Sequence, residues 1–333
     1  MMKSLIVSST DQGTWDIHII KKEIPKPSKN ECLVRVKAAA LNRRDYWISV
    51  GKYPGIKSGV TLGSDACGVV VEGDDKWVGK EVWINPNQNW GENPEFQSGQ
   101  YTILGTPKDG TLAEYLSVPT DRLKEKPAHL TSVEAAAFPL AALTAYRAVF
   151  TKGQVKSGDK VLVTGIGGGV AQFAMAFAKN LGARVSVSSS SDWKLEKAKN
   201  SGADFGFNYK HENWLVKASA EAGKFDVIID SAGGNALNSY LKIIKSGGKI
   251  VMYGSTTGKP EHLDAFRLFW SQASILGSTM GNDDEFQRMT EFVARQQIKP
   301  TLDKVYKPDQ MVEAVKSMKS SDNYGKKVIQ FLD

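Results

Sequence analysis

The run VLVTGIGGGVAQFAMAFAKNLGA, residues 161–183, constrains this chain more than any other. Gly165, Gly167, Gly168 and Gly169 stand directly between an apolar β run and a helical pattern with Phe173, Phe177 and Leu181 on one face. In that position bare backbone can approach a pyrophosphate, whose charge is met by the N-terminus of the following helix. Gly165, Gly168, Gly169 and the Val170 that follows are the pyrophosphate candidates, and Ala171 takes the place where only close helix–strand packing is needed. The bland alternative is a tight strand-to-helix turn that binds nothing.

The surroundings extend the argument. From about residue 126 to 281 the chain alternates β runs (KVLVTG, ARVSVS, ADFGFNY, FDVIID, GKIVMYG, SILGSTMG) with helical segments at 169–181, 192–201, 212–223 and 234–245. Six β runs with helical crossovers predict an α/β doubly wound parallel sheet, a nucleotide-binding architecture. Residues 1 to about 125 read differently, as short β runs broken by turn residues: SLIV, WDIHII, ECLVRVKAAAL, ACGVVVE, KWVGKEVWI and GTLAEYLSV. That spacing predicts a barrel or sandwich. Residues 84–104 show neither helical nor strand periodicity and read as one long loop. After Gly281 come helical segments at 283–296 and 308–320 and a last strand, KKVIQFL, which rejoin the first domain. The domains are therefore 1–125 with 282–333, and 126–281.

Composition narrows the classes further. A length of 333 residues suits two domains with their own cores. The longest apolar run, Ala135 to Tyr146, is interrupted by Pro139 and is shorter than the ~18 residues of a membrane span. The apolar stretch at the N-terminus is too short for a secretory signal, so a cytoplasmic protein is expected. Cys32 and Cys67 cannot supply a disulfide framework or a four-thiolate zinc site. The net charge of +7 is spread along the chain, with no nucleic-acid-binding motif and no basic residues interleaved with aromatics on one element.

The end of the second β run of the nucleotide domain selects the dinucleotide. An NAD protein carries an Asp or Glu about 20 residues beyond the glycines. Here Ser189 stands 20 residues after Gly169, within Ser188–Ser191. Hydroxyls of Ser189 and Ser190 can donate to a 2′-phosphate, and Lys194 and Tyr209 can complete the site, which indicates NADPH. Two other roles remain open for Asp192: an acceptor for ribose hydroxyls, or the cap of the helix 192–201 with Lys194 a solvated charge.

Five motifs in order, ALNRRDYWISVGKYPG, LGSDACGVV, EAAAFPLAALTAYRAV, VTGIGGGVAQ and MYGSTTG, resemble the medium-chain dehydrogenase/reductase superfamily, in particular its zinc-independent quinone oxidoreductase-like branch, often labelled zinc-type alcohol dehydrogenase-like. The resemblance implies a chaperonin-10-like β-barrel catalytic domain built from both chain ends, a Rossmann domain in the middle and an active site in the cleft between them. It also implies homodimers formed through the Rossmann edge strand at Ser274–Thr279. Zinc members carry ligands where this chain has Asn42, Ser64 and Leu140, none of which is a thiolate or imidazole, so no metal is expected. Their structural-zinc lobe matches residues 84–104, which hold no cysteine. Asp45 and Asp65 are expected to be structural, and His18, His129, His211 and His262 are scattered.

By the same resemblance, Asn42 lies beside nicotinamide and substrate and can donate its amide hydrogens. Tyr46, Trp47 and Tyr53 would line the substrate pocket, Tyr53 being one candidate among three to donate to the substrate oxygen; the alternative for these aromatics, Trp47 above all, is packing between the domains. Thr144, Ser231, Gly254, Ser255 and Met280 would meet the cofactor. Arg43 and Arg44 either face solvent or favour an acidic substrate. Without a metal to hold an alkoxide, hydride transfer suits acceptors that spread the arriving charge themselves, namely quinones and α,β-unsaturated carbonyl compounds. The competing readings are an alcohol dehydrogenase acting on simple alcohols or aldehydes, and an NADPH-binding sensor or structural protein with little turnover.

Overall fold

The computed structural model describes residues 1–332. Its contacts divide the chain into two units, Met1–Ala141 with Asn282–Asp333, and Ala142–Gly281. The first boundary falls inside the helix Pro139–Tyr146, later than the change of pattern near residue 126.

In the first unit, the strands Glu31–Ala40 and Asp65–Glu72 are rich in Val, Ala and Leu or Cys and are buried at most positions, as central strands of a sheet are. Among the described residues a seven-stranded sheet runs in the order Leu123–Glu125, Glu81–Ile84, Asp65–Glu72, Glu31–Ala40, Lys326–Gln330 and Leu302–Tyr306, with Tyr115–Pro119 paired to the first half of Glu31–Ala40. Val34, Val36, Ile48, Leu62, Val82 and Ile84 share its core. Gly68 shows how tightly the strands approach: a Cβ there would lie 2.3 Å from the Arg35 carbonyl oxygen. A second sheet joins Trp15–Lys22, Met2–Ser9 and Val60–Thr61.

Several local expectations need correction. Residues 84–104 are not strand-free, because Asn87–Gln88 pairs with Thr102–Ile103; two-residue strands carry no readable period. KWVGKEVWI shortens to Glu81–Ile84, since Trp77 and Val78 form a turn on Asp74. The strand Leu302–Tyr306 had no sequence signal, and the segment 308–320 shrinks to a 3-10 turn at Pro308–Gln310 followed by the helix Met311–Ser317.

The second unit has six strands, all parallel to their neighbours, in the order Phe205–Asn208, Arg184–Ser189, Lys160–Val163, Phe225–Asp230, Ile244–Met252 and Ser274–Gly277. This is the Rossmann order, which reverses between Lys160–Val163 and Phe225–Asp230 and so opens a crevice at the carboxyl ends of those two strands. Leu162, Phe207, Phe225, Ile228 and Ile250 pack the core with Leu237, Tyr240 and Leu241 of the helix Ala236–Ile243. Among the described residues no helix is long and apolar enough to cross a membrane.

Candidate active site

The glycine-rich turn leaves the strand Lys160–Val163 at the switch point. Gly165 sits at φ +64°, a conformation that costs other residues energy, and a Cβ there would stand 3.5 Å from the Ser231 hydroxyl. Gly168 caps the helix Gly169–Asn180 without a side chain, so the N–H groups of the first turn, that of Val170 included, meet no capping side chain from it. Gln172 Nε2 donates to the Ile166 carbonyl at 3.2 Å and braces the turn from behind. This geometry fits a pyrophosphate.

Asp230 ties the turn to the neighbouring loop. Its buried carboxylate accepts from the Thr164 hydroxyl (2.6 Å), the Tyr240 hydroxyl (2.8 Å) and the Gly233 amide (2.7 Å). Burial, then the adjacent Asp230 charge, pushes the Tyr240 phenol well above its ordinary range, so Tyr240 remains a donor. The same loop holds Ser231. Gly254 approaches it so closely that a Cβ would lie 3.0 Å from the Ser231 carbonyl oxygen, while the Ser255 hydroxyl is used locally on the Gly258 carbonyl. The Thr144 hydroxyl lies 3.6 Å from the sulfur of Met280, which is buried at φ +43°. A non-glycine residue held there is strained and marks a candidate contact residue.

In the strand next to the glycine-rich turn, Ser189 closes Arg184–Ser189 and accepts the Ser191 amide on its hydroxyl at 3.2 Å. Ser190 is half-buried, and the Tyr209 amide donates to the Ser189 carbonyl at 3.1 Å with its ring exposed. Lys194 is buried rather than a solvated charge, because it lies one turn into a helix packed on the strand ends. Asp192 is the first residue of that helix and not its cap, a position that Ser191 takes. Its carboxylate accepts from Asn208 Nδ2 at 2.8 Å.

The candidate catalytic residues belong to the first unit. Asn42 caps the helix Arg43–Ser49, and Asp45 reaches back to accept the Asn42 amide at 2.7 Å. The Asn42 side chain is held at both ends: Nδ2 donates to Asp65 (2.8 Å) and Oδ1 accepts from the Lys326 ammonium (2.6 Å), which also lies 3.0 Å from Asp65. An ammonium only donates and a carboxylate only accepts, so the orientation of the amide is determined. One N–H remains for another acceptor. Asp65 also accepts the Leu140 amide at 2.7 Å. Burial raises the Asp45 carboxyl to about 6 despite the opposing Arg44 charge, and its second oxygen has no partner.

The two arginines part ways. Arg43 is exposed and lies 5.1 Å from the ring centres of both Tyr46 and Trp47. Arg44 is buried, donating to the Ser64 hydroxyl and the Leu104 carbonyl, both at 2.6 Å, and through Nε to the Tyr53 hydroxyl at 3.3 Å. Tyr53 is half-buried against the core of this unit. At the positions where zinc members carry ligands, Asn42 is therefore engaged by Lys326 and Asp65, Ser64 by Arg44, and Leu140 has no donor side chain. Among the described residues no group of three or more His, Cys, Asp or Glu side chains is placed to hold a metal. These residues do not fit a zinc ion. Sequence reasoning missed Lys326, Asp230 and Asn208; Lys326 lies 284 positions from Asn42, a pairing that no local pattern signals.

The chain matches two family models, the alcohol dehydrogenase GroES-like domain over residues 28–128 and the zinc-binding dehydrogenase over residues 169–295. It is 35% identical to the zinc-type alcohol dehydrogenase-like protein YogA of Leptosphaeria maculans, over 94% of each chain. It is 30% identical to the 2-methylene-furan-3-one reductase of Solanum lycopersicum, over 97% of this chain and 78% of that one. A crystal structure of an NAD-dependent alcohol dehydrogenase superposes with a TM-score of 0.91 at 32% identity, covering 99% of this chain and all of the other. With both a GroES-like unit and a Rossmann unit, the chain belongs to the medium-chain dehydrogenase/reductase superfamily, an oxidoreductase lineage that uses nicotinamide dinucleotides.

Proposed function

We propose that this oxidoreductase uses NADPH to reduce quinones or α,β-unsaturated carbonyl compounds without a metal. The observation that carries the reading is the filling of the zinc-ligand positions by Asn42 with Lys326 and Asp65, by Ser64 with Arg44, and by Leu140. A lysine ammonium and an arginine guanidinium would repel a dication there, and amide and hydroxyl oxygens are poor zinc ligands. NADPH supplies the hydride when bound. The remaining Asn42 N–H holds the substrate oxygen, and Tyr53, whose own oxygen accepts from Arg44, donates its O–H to that oxygen. Tyr46 and Trp47 form an apolar wall, their rings 5.2 Å apart.

Preference for NADPH is supported by Ser189, Ser190, buried Lys194 and Tyr209 around the strand end, and by the engagement of Asp192 with Asn208. The tomato relative's named substrate is itself an alkene conjugated to a ketone, the acceptor class proposed here. A homodimer through Ser274–Gly277 is supported by its position at the sheet edge and by exposed Phe266, Phe269 and Trp270 on the preceding helix.

The test is NADPH oxidation with an enone and a quinone in the presence of a chelator, alongside alcohols with NAD and NADP. Chelator-insensitive reduction of the conjugated acceptors is expected. Activity that appears only on zinc addition, faster turnover of simple alcohols, or tight NADPH binding with no turnover across the panel would each overturn the reading.

A further inference from the structure

Asp192 is the only acid between Arg184 and Leu195, the stretch where a ribose-binding carboxylate would stand. It lies three residues beyond Ser189, at the start of the helix Asp192–Asn200. Its carboxylate is engaged by Asn208 Nδ2 at 2.8 Å. The Asn208 amide is itself oriented, because Oδ1 accepts the Lys210 amide hydrogen at 3.1 Å and only Nδ2 can then face an acceptor. The register places Asn208 directly opposite Ser189 in the neighbouring parallel strand and one residue before Tyr209. Asp192 and Asn208 also share the lining of a cavity of about 320 Å³ with Lys199, His211 and Lys217.

We propose that Asn208 is a coenzyme-specificity residue: by holding the Asp192 carboxylate it keeps the strand end free of an acid that would repel a 2′-phosphate and accept from a ribose hydroxyl. The inference rests on the NADPH reading, and its test separates the two. Calorimetric titration of the full-length protein with 2′,5′-ADP and with 5′-AMP isolates the 2′-phosphate, and NADPH and NADH repeat the comparison on whole coenzymes. The wild type is expected to prefer 2′,5′-ADP. Asn208→Ala is expected to lower that preference by about 5-fold to 30-fold, the repulsion of a carboxylate from a singly to doubly charged phosphate about 4 Å away in water. In an Asp192→Asn background, Asn208→Ala should leave the preference unchanged. A preference that stays within about twofold in Asn208→Ala, or that falls equally in the Asp192→Asn background, overturns the proposal while leaving the NADPH reading intact. A wild type that prefers 5′-AMP and NADH overturns both. Asp192 is exposed, Asn208 half-buried and their hydrogen bond solvent-facing, so circular dichroism and melting temperature should match the wild type in every variant.

Discussion

Replacing Lys326 by methionine tests the buried cluster around Asn42. The lysine side chain is 5% exposed, and its partner Asp65 is fully buried 3.0 Å away. Methionine matches the stem but removes the ammonium, so Asp65 keeps only the Asn42 and Leu140 N–H donors and no positive charge. An uncompensated buried charge of this kind costs about 3–5 kcal/mol, a large part of the ~5–15 kcal/mol that holds most domains folded. Urea unfolding followed by tryptophan fluorescence reads the loss, since Trp15, Trp47, Trp77, Trp83 and Trp90 all lie in the first unit. The double variant Lys326→Met with Asp65→Asn carries no charge and should recover most of the stability. A single variant that loses less than about 1 kcal/mol, or a double variant no better than the single, would refute the account of Lys326 as the counter-ion of a buried carboxylate.

Asp45 gives a pH prediction. Burial raises its carboxyl from 3.8 to about 6 in the fold, so between those values the folded chain holds a proton the unfolded chain has shed. Its contribution is fully present below pH 4 and is lost as pH rises through 6, amounting to about 3 kcal/mol. Asp45→Asn should therefore gain on the wild type between pH 4 and 7, and a pH-independent difference in urea midpoint would contradict this. Gly165→Ala should cost roughly 1–2 kcal/mol of stability from the left-handed backbone and weaken NADPH binding in a fluorescence titration; unchanged binding would remove the turn from the cofactor site. Trp270→Lys, at an exposed position beside the edge strand, should shift sedimentation toward the monomer if that edge forms the dimer.

The nucleotide unit was legible in the chain itself because its signals are local. A glycine run between a β run and an amphipathic helix and the repeated strand–helix alternation are each read within a few residues, and they predict the parallel sheet that is observed. The five ordered motifs carried the GroES-like unit in the same way. What only the tertiary structure decided depends on partners far apart in sequence. Lys326 meets Asn42 and Asp65 from the last strand, Arg44 turns inward to Ser64 and Leu104 while Arg43 stays outside, and Asn208 reaches Asp192 across a strand-to-helix step. The physical reason is that a buried charge or amide must be satisfied wherever the fold brings a partner, and residue type along a chain does not encode which distant group arrives.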